Sequence, residues 1–252
     1  MAKYYGTAVH KGLGEWYRGD EKNDEKGLRA FGEEYAKWYD GKDEGRTAEN
    51  GYYILREYFN RFREDYLKTV EVEIKFVIEM GEVMYSGIID RLCEWEGEGL
   101  VIEDWKSTKW PGSGFVLSEP NNQFTGYLLG AREIIGKGIK TVFVTQIGTQ
   151  IKNKTRKSKN NPEPEKEVTI LRDPSIRSQE QFEEFRRELE LTVGGIEWCR
   201  SREMWPKHTN WCPSFNGCEF ILLCKAAKES VPYLVESLYR KVEGKGEEVE
   251  VE

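Results

Sequence analysis

No segment of this 252-residue sequence approaches 18 consecutive apolar residues, which excludes a membrane-spanning helix. The first residues hold no basic region followed by an apolar stretch, so a secretory signal is not expected. A G-x-x-x-x-G-K-[ST] phosphate loop is also missing, which disfavours a nucleoside triphosphatase. The expected compartment is therefore the cytoplasm, where the five cysteines are more typical of thiols or metal ligands than of disulfides.

Charge and aromatic content bound the class of protein further. The net charge of -7 argues against a protein that coats nucleic acid without selectivity. The 8 Trp, 13 Tyr and 11 Phe argue against general disorder. Charge is unevenly distributed, because Ile151 to Asn160 holds five Lys or Arg and no acid, whereas Val242 to Glu252 holds five Glu and one Lys. We interpret the first segment as a basic loop and the second as a solvated tail.

Hydrophobic spacing predicts helices at both ends of the chain and strands between them. Helices are predicted over Gly6–Tyr17, Gly27–Tyr39, Thr47–Leu67, Asn122–Ile135, Ser178–Arg202 and Ser230–Val242. Strands are predicted over Val70–Glu79, Val83–Glu94, Leu100–Lys106, Thr141–Ile147 and Glu167–Leu171. The first three strands follow one another through short turns, which predicts an antiparallel meander. The expected fold is α/β or α+β, with a mixed sheet of about five strands flanked by helices.

Two aspartates and a lysine lie on neighbouring predicted strands. Asp90 ends the sequence Gly-Ile-Ile-Asp, and Asp104 and Lys106 belong to the next strand, two residues apart. A strand has a period of two, so Asp104 and Lys106 share a face, and a short turn lets Asp90 approach them. Carboxylates are suitable ligands for Mg²⁺ or Mn²⁺, and an ammonium can orient water or neutralise a phosphate. A surface ion pair on an amphipathic hairpin is the alternative interpretation.

Three further residues, together with the two aspartates and the lysine, form an ordered set of short motifs along the chain. His10 follows Gly6 by four residues on the first predicted helix, and Gln123 and Tyr127 share one face of the helix that follows the Asp–Lys strand. Each alone is more typical of a structural residue. The ordered set reads Gly-x-x-x-His, Gly-x-x-Asp-Arg, Asp-x-Lys and Gln-x-x-x-Tyr.

This ordered set resembles the RecB-like branch of the PD-(D/E)XK nuclease superfamily, which includes nuclease domains of recombination helicase-nucleases and CRISPR adaptation nucleases. The resemblance covers about Gly6 to Cys224 and implies a restriction-endonuclease-like core. It implies that a catalytic divalent ion is bound by His10, Asp90, Asp104 and the carbonyl of Trp105, with Lys106 as the catalytic lysine. By the same resemblance, Gln123 and Tyr127 support the site or the nucleic-acid strand, and Glu73 has at most an indirect role.

The cysteines near the C-terminus form a second candidate site. Cys212, Cys218 and Cys224 are spaced C-x5-C-x5-C, and Cys199 lies thirteen residues before the first. Relatives of the iron-sulfur subgroup bind a [4Fe–4S] cluster with a similar trio and a cysteine ahead of the His motif, but no cysteine precedes His10 here. The fourth ligand would have to be Cys199, Cys93 or His208, and the last would equally suit a zinc site. Absence of metal, an iron-sulfur cluster and zinc all stay open, and Cys93 is expected in the core.

The leading hypothesis is a Mg²⁺- or Mn²⁺-dependent deoxyribonuclease, an exonuclease or end-processing enzyme of recombination, repair or phage replication. A non-catalytic nucleic-acid-binding or scaffolding subunit is the alternative, and a metal hydrolase of sugars or nucleotides on another scaffold is a third possibility. The expected partners are DNA and a helicase or recombination protein on a separate chain. One nuclease domain is expected over residues 1–225, including the cysteine-bearing segment 199–224, followed by a terminal helix and acidic tail over 226–252.

Overall fold

The computed structural model describes residues 2–19, 21–38, 45–80, 83–112, 121–153, 165–207, 212 and 217–239. The chain divides into two compact units, residues 1–195 and 196–252, and each is described by itself. The predicted limits of the nuclease domain stay a prediction. Within the described ranges, no helix has both the length and the apolar character needed to cross a bilayer.

Three helices open the first unit: α1 (Ala2–Tyr17), α2 (Asp24–Ala36) and α3 (Ala48–Phe62). Side-chain caps set two of their starts, since Asn23 accepts a hydrogen bond from the Lys26 N–H and Thr47 accepts one from the Asn50 N–H. The prediction that the third helix continues to Leu67 is wrong. Asp65 Oδ1 accepts the Leu67 N–H at 3.1 Å, and this local bond turns the chain from the helix into the first strand.

The central sheet has five strands and is mixed, as predicted. Its strands are β1 (Leu67–Met80), β2 (Val83–Trp95), β3 (Gly99–Thr108), β4 (Thr141–Gly148) and β7 (Ile170–Ile176), hydrogen-bonded in the order β1-β2-β3-β4-β7. The antiparallel meander of β1, β2 and β3 is confirmed, and β3 and β4 are parallel. The crossover between them contains α4 (Asn122–Ile134), because a parallel connection needs a long return.

The strand predicted over Glu167–Leu171 is two strands in the structure. Lys166–Glu167 forms β6, which pairs with β5 (Lys152–Asn153) in a separate two-stranded sheet. The second strand, β7, then joins the main sheet beside β4. Of the predicted basic loop, residues 154–160 lie outside the described residues.

Helices cover both faces of the sheet and form two hydrophobic cores. The first core joins α1, α2 and α3 to Trp105 and Ile147, with Trp16, Tyr58 and Phe59 fully buried in it. The second core joins α4 and the start of α5 (Gln179–Ser201) to the opposite sheet face, where Ile102, Val142 and Val144 are buried. Successive residues of β3 therefore face different helical layers.

The second unit holds α6 (Ile221–Lys225), a short 3₁₀ helix (Lys228–Ser230) and α7 (Val231–Leu238). The terminal helix predicted over 230–242 is thus present from 231 to 238. Residues 240–252, including the predicted acidic tail, lie outside the described residues.

Candidate active site

The site is formed where β2 and β3 separate. Their ladder runs from Trp95–Gly99 to Arg91–Glu103 and goes no further, although β3 continues to Thr108 along β4. Asp90 and Asp104 are the next residues on the two strands. The antiparallel register that ends at Arg91–Glu103 would place them opposite each other, so both carboxylates lie at the mouth of the cleft between the diverging strands.

Asp90 is held by the backbone of β3 and by the first helix. Its Oδ2 accepts the Trp105 N–H at 2.8 Å, a donor that has lost its ladder partner because the strands diverge. Its Oδ1 lies 3.3 Å from Nδ1 of His10. A strand residue directs its N–H and C=O toward the same side, so the Trp105 carbonyl also faces this cleft.

His10 reaches the cleft because α1 packs tightly against β3. One turn before His10, a Cβ on Gly6 would lie 2.9 Å from Oγ of Ser107, so a larger residue would push the helix away. The His10 ring meets the Trp105 ring edge-on, with 6.0 Å between centroids. Burial alone lowers the pKa of His10, but the Asp90 and Asp104 carboxylates together more than offset it, so the pKa is raised above its ordinary value.

Asp104 and Lys106 form the second half of the site, on one face of β3 as predicted. Lys106 Nζ donates to Oδ1 of Asp104 at 2.9 Å, and it lies 2.7 Å from Oδ2 outside hydrogen-bonding geometry. Oδ2 is buried and accepts a hydrogen bond from none of the described residues. Burial raises the pKa of Asp104 to about 6; Lys106 opposes this rise, and the like charge of Asp90 adds to it. Asp104 and Asp90 therefore interact electrostatically across the cleft.

Gln123 and Tyr127 lie on the first two turns of α4, above this cleft. Gln123 Nε2 donates to the Tyr127 hydroxyl at 2.9 Å. Burial raises the pKa of Tyr127, the hydrogen bond from Gln123 lowers it, and the negative charge of Asp104 raises it further. The structure thus places Tyr127 in electrostatic range of the Asp–Lys pair, and Gln123 in hydrogen-bonding range of Tyr127.

Glu73 does not join this group. Its carboxylate pairs with Arg18, and Lys11 Nζ lies 3.5 Å from it. The residue has a left-handed backbone, with φ of 57°, in the middle of β1. Val72 and Ile74, its neighbours, pack against different hydrophobic cores, so the strand changes its inward face at this point.

Sequence reasoning missed a buried amide beside the catalytic-lysine candidate. Gln146 on β4 is the register partner of Lys106 and is fully buried. Its Oε1 accepts the Gly112 N–H at 2.9 Å, whereas its Nε2 donates to none of the described residues. Gln146 therefore fastens the segment that follows β3 next to the site. Its only sequence signal was a polar residue within a buried strand.

The described residues do not test whether the C-terminal cysteines bind a metal or a cluster. Cys93 is buried with Leu67, Val101 and Phe143, which confirms its place in a core, and burial raises the pKa of its thiol. Cys199, Cys212, Cys218 and Cys224 are unbridged cysteines of the second unit, and His208 lies outside the described residues. Within the described ranges, no three His, Cys, Asp or Glu side chains are arranged around a common metal position. The possible cluster or zinc ligands stay predictions.

Comparison with known proteins identifies the family. The family profile of the PD-(D/E)XK nuclease superfamily matches residues 1–225. The chain belongs to this superfamily. A crystal structure of a proposed exonuclease from Eubacterium rectale is 15% identical, with a TM-score of 0.50, covering 93% of this chain and 79% of that one. The protein called SSO0001 is 12% identical, with a TM-score of 0.33, covering 78% of this chain and 74% of that one. No curated protein matches the sequence.

PD-(D/E)XK nucleases generally use divalent metal ions, and the donors of this cleft fit such an ion. Two carboxylates repel each other there, one of them with a buried oxygen that accepts no hydrogen bond from a described residue. A backbone carbonyl and an imidazole face the same cleft. His10 is now paired with Asp90, and Lys106 with Asp104, which explains why the described side chains do not already surround a common point. Binding a cation would replace these two ion pairs with coordination.

Proposed function

We propose that this PD-(D/E)XK nuclease is a metal-dependent deoxyribonuclease that hydrolyses phosphodiester bonds at or near DNA ends. One observation carries the proposal: two interacting carboxylates, a histidine and a lysine meet where β2 and β3 diverge. An isolated surface ion pair would not need a buried Asp104 oxygen that accepts no hydrogen bond from a described residue, an arrangement that is costly without a ligand.

Each residue has a part that follows from its contacts. Asp90, Asp104, His10 and the Trp105 carbonyl would hold the ion. When bound, a divalent ion polarises the phosphodiester and lowers the pKa of a coordinated water. The side chain of Lys106 is 27% exposed, so its ammonium can turn from Asp104 toward a phosphate oxygen or the attacking water. Tyr127 and Gln123, linked by their own hydrogen bond, would border the nucleic-acid strand from α4.

We further propose that the chain belongs to the RecB-like branch, that Mg²⁺ and Mn²⁺ both support cleavage, and that a separate helicase or recombination protein is its partner. Two features support the branch assignment: His10 on α1 lies beside Asp90, and Tyr127 of the Gln-x-x-x-Tyr motif on α4 is in electrostatic range of the Asp–Lys pair. The fold likeness to a proposed exonuclease agrees with action at ends.

The test is a cleavage assay on one sequence prepared as single-stranded DNA, double-stranded DNA and RNA, each labelled at the 5′ or the 3′ end. Reactions contain Mg²⁺, Mn²⁺, Ca²⁺ or EDTA, and circular DNA separates end-dependent from internal cleavage. We expect metal-dependent cleavage of linear DNA. Cleavage of none of these substrates with any ion would refute the proposal, and cleavage of RNA alone would refute its DNA assignment.

Lys106→Ala gives the sharpest test within the chain. Loss of one group that stabilises developing charge typically costs about 100- to 1,000-fold in rate, so we expect at least a 100-fold loss with an unchanged circular dichroism spectrum. The matched control is Lys75→Ala, since Lys75 is an exposed strand lysine on β1. If Lys106→Ala cleaved DNA as fast as Lys75→Ala, the catalytic role of Lys106 would be wrong.

A further inference from the structure

A buried ion pair closes the β2–β3 ladder at the point where the strands separate. Arg91 and Glu103 are register partners, and Arg91 Nη1 donates to Glu103 Oε2 at 2.6 Å. Both side chains are fully buried. They are the chain neighbours of Asp90 and Asp104, and because strand side chains alternate, Glu103 lies on the sheet face opposite the Asp104 and Lys106 side chains.

A second pair completes the network. Arg172 on β7 lies 2.6 Å from Glu103 and 2.7 Å from Asp65, and Arg91 lies 3.1 Å from Asp65. Thr145 donates to Glu103, and the Leu67 carbonyl accepts from Arg91. Two guanidinium groups and two carboxylates thus compensate one another. Among the described residues, no hydrogen bond or ion pair links a side chain of this network to the side chain of Asp104 or Lys106.

Such a network is weak support for the fold as a whole. Removing two charges from water is costly, and well-packed apolar residues of similar volume are often as stabilising or more so. Directional ion pairs do fix geometry, because a guanidinium donates hydrogen bonds to a carboxylate in only a few arrangements. The location of the pair at the last rung, next to both candidate metal-binding aspartates, is where fixed geometry matters.

Arg91 also reaches the site through stacked rings. Its guanidinium carbon lies 3.7 Å from the centroid of the Tyr17 ring. Tyr17 stacks on Trp105 with 5.8 Å between centroids and planes 7° apart. The backbone N–H of Trp105 donates the hydrogen bond that holds the Asp90 carboxylate. The backbone and this stack therefore connect Arg91 to Asp90 by two independent routes.

We propose that the Arg91–Glu103 pair positions the active site: it fixes the rung at which β2 and β3 separate and so sets the spacing of the Asp90 and Asp104 carboxylates. Both are positioning residues, since neither touches the reacting atoms. This inference rests on the proposed function, because the spacing matters only if the two carboxylates share an ion.

The test replaces the pair with apolar residues, as Arg91→Met with Glu103→Leu, which leaves the Arg172–Asp65 pair in place. The matched control removes that other pair instead, as Arg172→Met with Asp65→Leu, since neither of its members adjoins Asp90 or Asp104. Each protein is measured for urea unfolding, Mn²⁺ affinity by calorimetry, and kcat and KM. Mn²⁺ binding to Asp104→Asn corrects for ions bound elsewhere on the acidic chain.

We expect the first double variant to fold but to bind Mn²⁺ about 10- to 100-fold more weakly, the usual effect of losing groups that orient metal ligands. Its kcat falls and is partly restored by a higher Mn²⁺ concentration. The Mn²⁺ affinity and kcat of the control variant stay within about threefold of the parent values. Equal Mn²⁺ affinity in the first variant and the parent would overturn the inference.

Glu103→Gln keeps the side-chain shape and provides a second route if the double variant does not fold. We expect weaker Mn²⁺ binding from it as well, and parent-like affinity would overturn the inference. A parent protein that neither cleaves DNA nor binds Mn²⁺ at Asp104 would instead overturn the proposed function, and this inference with it. The two failures are distinguishable, because only the second appears without any substitution in the network.

Discussion

Replacing Asp104 with Asn should remove activity and make the metal-free protein more stable at neutral pH. Burial raises the pKa of Asp104 from 3.8 to about 6, even though Lys106 opposes this rise. Since one pKa unit equals 1.36 kcal/mol, ionised Asp104 destabilises the folded state by about 3 kcal/mol at pH 7. Asn keeps the shape without the charge and so avoids this cost.

The sign of the pH dependence follows from the raised pKa. The folded carboxyl holds its proton up to about pH 6, whereas the unfolded one loses it near 3.8, so the parent loses stability as pH rises through this interval. The advantage of Asp104→Asn should therefore be largest above pH 7 and vanish below pH 4. With a urea dependence of about 3 kcal/mol per molar, the midpoint should rise by about 1 M at pH 7.

The assay is urea unfolding with EDTA at pH 7.5 and pH 4, repeated with excess Mn²⁺. Mn²⁺ should stabilise the parent by mass action and leave the stability of the variant unchanged. The difference between their urea midpoints should therefore narrow or change sign. Asp173→Asn is the control, because Asp173 is exposed on β7 and should change stability by less than about 0.5 kcal/mol. A variant less stable than the parent in EDTA at pH 7.5 would refute the account of Asp104 as a strained, ligand-seeking carboxylate.

Three other predictions follow from contacts elsewhere in the first unit. His10→Ala should remove most of the preference for Mn²⁺ over Mg²⁺, because imidazole favours the softer ion; an unchanged ratio of the two half-saturating concentrations would argue against His10 as a ligand. Asp65→Asn should destabilise the protein by about 3 to 5 kcal/mol at pH 7, since it leaves buried guanidinium groups undercompensated. Burial alone raises the pKa of Asp65, but Arg172 and Arg91 lower it below 3.8, so this deficit should shrink only as pH falls below about 4, which unfolding at pH 3 and 7 would check. Gly51→Ala should destabilise by about 1 to 3 kcal/mol in thermal unfolding, because its Cβ would lie 2.0 Å from the buried Phe31 ring, whereas Gly194→Ala, with open space around it, should be neutral or stabilising.

The candidate site was predictable in its parts because local rules fix them. A period of two placed Asp104 and Lys106 on one face, and a short turn placed Asp90 on the adjacent strand, as the structure shows. The meander, the five-stranded mixed sheet and the helix after β3 also follow from patterns of hydrophobicity and turns. The predicted end of the third helix was wrong, because Asp65 accepts a hydrogen bond from the Leu67 N–H and the chain turns into β1 there.

Other features depend on contacts between residues far apart in the sequence, and only the tertiary structure decided them. Arg172 meets Asp65 across 107 positions, and Gln146 lies beside Lys106 only because β4 returns parallel to β3. The rung at which β2 and β3 separate is not apparent from either strand alone, and the buried ion network that we propose fixes it draws on β7 and the segment before β1. The sequence by itself therefore determined on which elements the candidate site residues lie. Their spacing was decided by the folded structure, because charge compensation and close packing act only once distant segments meet.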